Sequence, residues 1–216
     1  MSATASELSH EQASAWIAPA RLAPFLALAG GEHQSAIALY LWHARLSSAC
    51  SEVIHHVEVL VRNAIHRCLK RTQSDDGLHS WLVDPEVLRS PELTAVANVV
   101  TRVRRRGRPV TESRVIAGLP LSFWARMLGT SYTELWDARL HAAFPHGSGL
   151  RRDAAGQLNR VSQLRNEVAH HKTVLHVPIA DRHRDMLALA AAVDPAAAAW
   201  IGALSRVEET LAMRPA

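Results

Sequence analysis

Residues 32–71 read EHQSAIALYLWHARLSSACSEVIHHVEVLVRNAIHRCLKR, a stretch with no glycine and no proline. Within it Leu39, Trp42, Leu46, Ala49, Val53, Val57, Leu60, Ala64 and Cys68 recur at steps of three and four. Only an α-helix brings such positions to one face, so the spacing predicts a long amphipathic helix. Unbroken, it would span about 60 Å. Ser47-Ser48 is the one point where a break is expected. Cys50 and Cys68 lie in the same helix, about 27 Å apart, beyond disulfide reach. That fits a reducing compartment.

The rest of the chain agrees with an all-α reading. One residue in six of the 216 is alanine, which loses least entropy in a helix, and glycine and proline number only 10 each. Long alternating β-branched runs are missing, which argues against a sandwich or barrel. With 48% hydrophobic and 20% charged residues the composition is globular rather than disordered or fibrous. Residues 1–31, punctuated by Pro19, Pro24 and Gly30-Gly31, read as lead-in helices, and 32–216 as one helical domain. Residues 72–92 form a polar connector with a turn of helix around Trp81. Further helices are expected at 93–106, at 122–128 with Ser122 as cap, and at 131–144 opened by Ser131-Tyr-Thr-Glu134. The last are expected at 150–170, 180–192 and 196–212, the final one capped by Asp194-Pro195. The expected architecture is a bundle of about six to eight helices with additional terminal ones.

Of the 24 basic side chains only Lys70 and Lys172 are lysines, and the net charge is +4. Arginine forks match phosphates bidentately, so the balance is compatible with an anionic partner, although an Ala- and Arg-rich composition also arises without one. No apolar run approaches a membrane span, and no signal pattern opens the chain; a cytoplasmic protein is expected, with no membrane partner.

The most informative segment is Leu164-Arg-Asn-Glu-Val-Ala-His-His-Lys172. Histidine titrates near neutrality and suits proton transfer, while arginine is a permanent cation suited to charge on a phosphorane. Arg165 and His170 together have the parts to cleave RNA without a metal. Five helical steps set them about 140° apart, whereas Asn166 and His170 share a face. Arg165 must arc round, the helix must loosen at its end, or a second subunit must complete the site. No His-Glu-x-x-His, cysteine pair at finger spacing or Asp-rich loop is found, so no metal or other cofactor is expected. No nucleophilic serine or cysteine motif is present either.

The chain resembles the Abi-like (abortive-infection type) proteins of the HEPN superfamily over about residues 21 to 207. The resemblance is carried by Ala38-Leu-Tyr-Leu-Trp42, Val57-Glu-Val-Leu-Val-Arg-Asn-Ala-Ile65, Leu121-Ser-Phe-Trp124 with Leu135-Trp136, and Leu164-Arg-Asn with Ala169-His-His171. The last coincides with the superfamily's Arg-x4–6-His signature. His43, Glu167 and Lys172 depart from the family pattern, as does the lack of a glycine near Phe123-Trp124. The resemblance implies a HEPN-like bundle, often dimeric, and a metal-independent RNase of phage defence or toxin–antitoxin systems. Arg165 and His170 would be catalytic, with Asn166 and His171 in support. An antitoxin, protein or RNA, is a further implied partner.

Two other polar groupings bear on function. His55, Glu58, Arg62 and His66 recur at helical steps off the apolar stripe. They form either a solvated face with a Glu58–Arg62 pair or, as the resemblance suggests, a line in which Glu58, Arg62 and Asn63 orient the 150–170 helix. Arg102, Arg105 and Arg106 share a face and suit an RNA backbone, or a solvated helix end. Trp42, Trp124 and Trp136 read as core anchors. The leading function is an endoribonuclease acting through 2′-hydroxyl attack; the alternative is a non-catalytic RNA- or partner-binding module of a defence system.

Overall fold

The expected long helix exists, and everything else is arranged around it. The computed structural model describes residues 10–70 and 80–215. Among the described residues there are eleven α-helices, three 3₁₀ turns and no strand. The helices are α1 (His10–Ile17), α2 (Pro19–Leu28), α3 (His33–Lys70), α4 (Ser90–Arg105), α5 (Glu112–Gly118), α6 (Leu121–Met127), α7 (Thr133–Ala138), α8 (Arg151–Ala169), α9 (Ile179–Val193), α10 (Pro195–Leu204) and α11 (Val207–Ala212).

At 38 residues, α3 is about 57 Å long and meets α2, α6, α8, α9 and α11. Its apolar stripe is buried as the spacing predicts; Val57, Val61 and Ile65 have no exposed surface. No break occurs at Ser47-Ser48. Ser48 and Ser51 donate their hydroxyls to the carbonyls of Ala44 (3.0 Å) and Ser47 (2.9 Å), which lets serine sit within a helix. Trp42, Trp124 and Trp136 are core residues, and Trp42 Nε1 donates to the Thr210 carbonyl at 2.7 Å, 168 residues away. No helix is long and apolar enough to cross a membrane among the described residues.

The bundle contains more helices than the sequence suggests because several expected segments are broken. The 196–212 segment stops at Ser205, whose Oγ accepts the Val207 N–H (3.3 Å) and bonds His183 Nε2 (2.9 Å). The 131–144 segment has no Ser131 capping box. It is a 3₁₀ turn (Thr130–Tyr132), then α7, a kink at Arg139 and a second 3₁₀ turn (Leu140–Ala143). Cys68 Sγ donates to the Arg139 carbonyl at 2.8 Å, so the kink is fastened to the end of α3. Ser122 does not cap α6; Pro120 takes that position. The 93–106 helix begins earlier, at Ser90, with Pro91 in its first turn, and Pro24 lies inside α2 rather than ending it. Asp194 caps α10 as expected, accepting from the N–H groups of Ala196 (2.8 Å) and Ala197 (3.2 Å). The turn around Trp81 forms, whereas residues 71–79 of the connector lie outside the described residues.

A buried carboxylate ties α4 to the segment after α6. Glu92, 3% exposed, accepts from Arg126 Nε at 2.7 Å and from the Tyr132 hydroxyl at 2.6 Å. The Tyr132 oxygen accepts the Arg89 N–H at 2.9 Å. Burial pushes the Tyr132 phenol well above its usual range, and its bond to Glu92 adds to that.

Candidate functional site

The direction of α8 places its C-terminal end. Its predecessor, the 3₁₀ turn Leu140–Ala143, packs on the C-terminal end of α3, while His170 and His171 border the Tyr40–Ser51 part of that helix. α8 therefore runs antiparallel to α3. A bidentate pair, Arg160 to Asp185 with both contacts at 2.6 Å, fixes it to α9.

α8 ends in a Schellman motif. The N–H of Lys172 bonds the Glu167 carbonyl (2.9 Å), and that of His171 bonds the Val168 carbonyl (3.0 Å). His171 occupies the left-handed position usual for glycine, with φ 53°. The adjacent histidines thus have a local structural role: His170 is the cap and His171 the reversing residue. Replacing His171 by glycine is expected to stabilise the fold by about 1 kcal/mol. A thermal melt should read this as a rise of about 2–4 °C; a fall would show that the imidazole itself holds the turn.

Both imidazoles are exposed and line a cleft of about 640 Å³ between α2, α3 and the end of α8. Its other polar walls are Arg21, Tyr40, His43 and the three serines Ser47, Ser48 and Ser51. Among the described residues no carboxylate lines it. Arg165 is not among its walls either. Spaced four from Val161 and three from Val168, both buried, Arg165 stands on the packed side of α8 and is half-buried. Its guanidinium reaches only Asn166 Oδ1, at 3.4 Å, and has no carboxylate partner. The expected offset between Arg165 and His170 is thus present within one chain.

Glu58, Arg62 and Asn63 are not gathered at His170. They lie 11–16 residues beyond Ser47 on α3, roughly 16–24 Å along its axis. Glu58 and Arg62 form no ion pair with each other, and Arg62 Nε is buried with no partner. His66, at the end of the same line, is structural: its Nδ1 accepts Trp81 Nε1 at 3.1 Å. The arginine cluster is also separate from the cleft. Arg102, Arg105 and Arg106 are exposed at the end of α4, which packs on α5. That helix is joined through Glu112 to Lys70 (3.7 Å) and His66 (4.0 Å), at the opposite end of α3. Among the described residues no three His, Cys, Asp or Glu side chains are grouped to hold a metal ion.

Two residues outside the motif complete this region. His43, 4% exposed, accepts the Val174 N–H on Nε2 at 3.0 Å, pinning the chain just after the double histidine. Arg21 also lines a second cleft, of about 500 Å³, behind His43 toward Lys172 and His176. Nothing in the spacing of α2 marked it.

Burial holds His43, His66 and His183 below the ordinary value of 6.5; the charge of Arg21 adds to this at His43, while Glu112 and Glu208 oppose it at the other two. These groups are neutral when folded and take up protons more readily when unfolded. Their contribution to stability is complete above pH 6.5 and is lost as pH falls below that toward their folded values. Melting temperature is expected to be level from about pH 8 to 7 and to drop toward pH 5. A level profile through that window would contradict the three assignments. Protonated His43 could no longer accept from Val174, so the chain after α8 should loosen first.

No protein-family model, no curated protein and no solved structure matches the chain.

Proposed function

We propose that the protein is a metal-independent endoribonuclease. One observation carries the reading: two imidazoles, His170 and His171, line the same carboxylate-free cleft. Cleavage by the internal 2′-hydroxyl needs a proton removed at one oxygen and delivered at another. One imidazole accepts the 2′-hydroxyl proton while the 2′-oxygen bonds to phosphorus. The other, protonated, gives its proton to the 5′-oxygen as the P–O5′ bond breaks. The products are a 2′,3′-cyclic phosphate and a 5′-hydroxyl.

Arg165 stabilises the phosphorane, and because it is not among the walls of its own cleft it acts on that of a second copy. A two-fold dimer with the α8 ends facing each other supplies the missing group symmetrically. The resemblance to Abi-like proteins adds the setting, phage defence or a toxin restrained by an antitoxin.

The test is incubation of the purified protein with mixed RNAs, with and without EDTA, beside the same strands carrying 2′-O-methyl groups. Cleavage of the RNA to cyclic-phosphate ends, unaffected by EDTA and absent from the methylated strand, supports the reading. Cleavage of the methylated strand overturns it. Light scattering should give a dimer at micromolar concentration; an active monomer would remove Arg165 from the mechanism.

A further inference from the structure

Among the described residues lining the His170 cleft, Arg21 carries the only permanent charge. Its side chain forms no hydrogen bond or ion pair, and it is exposed at the mouth of the cleft, on α2. Glu167, which lines the second cleft with Arg21, is itself paired with Lys172 at 3.3 Å, so the charge of Arg21 remains available to an anion in the His170 cleft.

The wall beside it also has spare donors. Ser47 Oγ is buried with no hydrogen-bond partner, which leaves its proton unused. Its neighbours Ser48 and Ser51 have already committed theirs to backbone carbonyls. The Tyr40 hydroxyl is likewise without a partner in the protein. A buried hydroxyl with nothing to bond is costly, and a ligand oxygen would satisfy it. Behind these groups His43 is kept neutral by burial and by Arg21, and its Nε2 is occupied by Val174. The floor of the cleft therefore neither repels a phosphate nor competes with it for Arg21.

We infer that Arg21, with the Ser47 hydroxyl, forms a phosphate-binding subsite that grips the RNA backbone while His170 and His171 act on it. This rests on the ribonuclease reading but differs from it in what it needs. Binding requires only an anionic phosphate, whereas cleavage requires a 2′-hydroxyl. The fork of Arg21 takes two phosphate oxygens, and lysine in its place would offer only a point charge.

Binding of a short, fully 2′-O-methylated oligonucleotide, and separately of inorganic pyrophosphate, should be measured by calorimetry for the wild type, Arg21→Ala and Arg21→Lys. Arg21→Ala should weaken both by roughly tenfold or more at low salt and lower the salt-dependence slope for the oligonucleotide by about one; Arg21→Lys should recover part of the loss. In cleavage assays Arg21→Ala should raise KM. Unchanged affinity for both probes and an unchanged KM, in a variant that melts like the wild type, would overturn the subsite. If the wild type cuts no RNA yet Arg21→Ala still loses pyrophosphate and oligonucleotide, the subsite stands and the ribonuclease reading falls. If RNA is cut and Arg21→Ala is indistinguishable from wild type, the reverse holds.

Discussion

Changing His170 to alanine is expected to slow RNA cleavage by roughly 10²–10⁴-fold while leaving RNA affinity nearly intact. The imidazole is exposed and makes no hydrogen bond within the protein, so its loss removes chemistry rather than structure. Arg165 should fail in another way. Lysine at that position keeps the charge and loses the planar fork, so turnover should fall sharply although a cation remains. Because Arg165 sits on the packed side of α8, its variants need a parallel melt to separate lost catalysis from a loosened helix. EDTA should alter neither result. Full activity in the His170 variant would overturn the two-imidazole mechanism.

The largest expected effect on stability comes from Glu92. Alanine there removes two charge-assisted hydrogen bonds, from Arg126 and Tyr132, and leaves the buried Tyr132 hydroxyl without its acceptor. Arg126 is half exposed and regains water, which limits the cost. Each such bond contributes about 1.5–3 kcal/mol, so a net loss of about 3 kcal/mol is reasonable. For a chain of this size that lowers the melting temperature by about 6–12 °C. Glu92→Gln keeps the volume and one acceptor and should cost about half as much. A melt unchanged by Glu92→Ala would mean that apolar packing alone fixes α4 to the segment after α6.

These two sites differ in how far the sequence announced them. The helix His33–Lys70 was legible because its apolar positions keep a three/four step through ten turns, and burial of that face follows from the step alone. The end of α8 was legible as chemistry, since Arg165 and His170 stand out by residue type. Its geometry was not. A left-handed histidine in place of glycine gives no periodic signal, and the cleft draws Arg21 from a helix far away in the chain. The breaks at Arg139 and Ser205 were hidden for a related reason. Each is set by a tertiary bond, to Cys68 or His183, that overrides a locally helical sequence. Glu58 and Arg62 share a face of α3 and were expected, from the resemblance, to orient the 150–170 helix together with Asn63. The same face extends for many turns, and only the antiparallel docking of α8 decides which turn the histidines meet.

The hydrogen bond from Trp42 to the carbonyl of Thr210 also bears on synthesis, since it joins residues 168 apart. At about 5–20 residues per second, a ribosome needs on the order of ten to thirty seconds to make what lies between them. For that interval the half of α3 carrying Leu39, Trp42 and Leu46 waits for α9 and α11, its apolar face only partly covered, by α2. A nascent chain in that state is a natural client for a holding chaperone, and slow translation of the last third would lengthen its exposure.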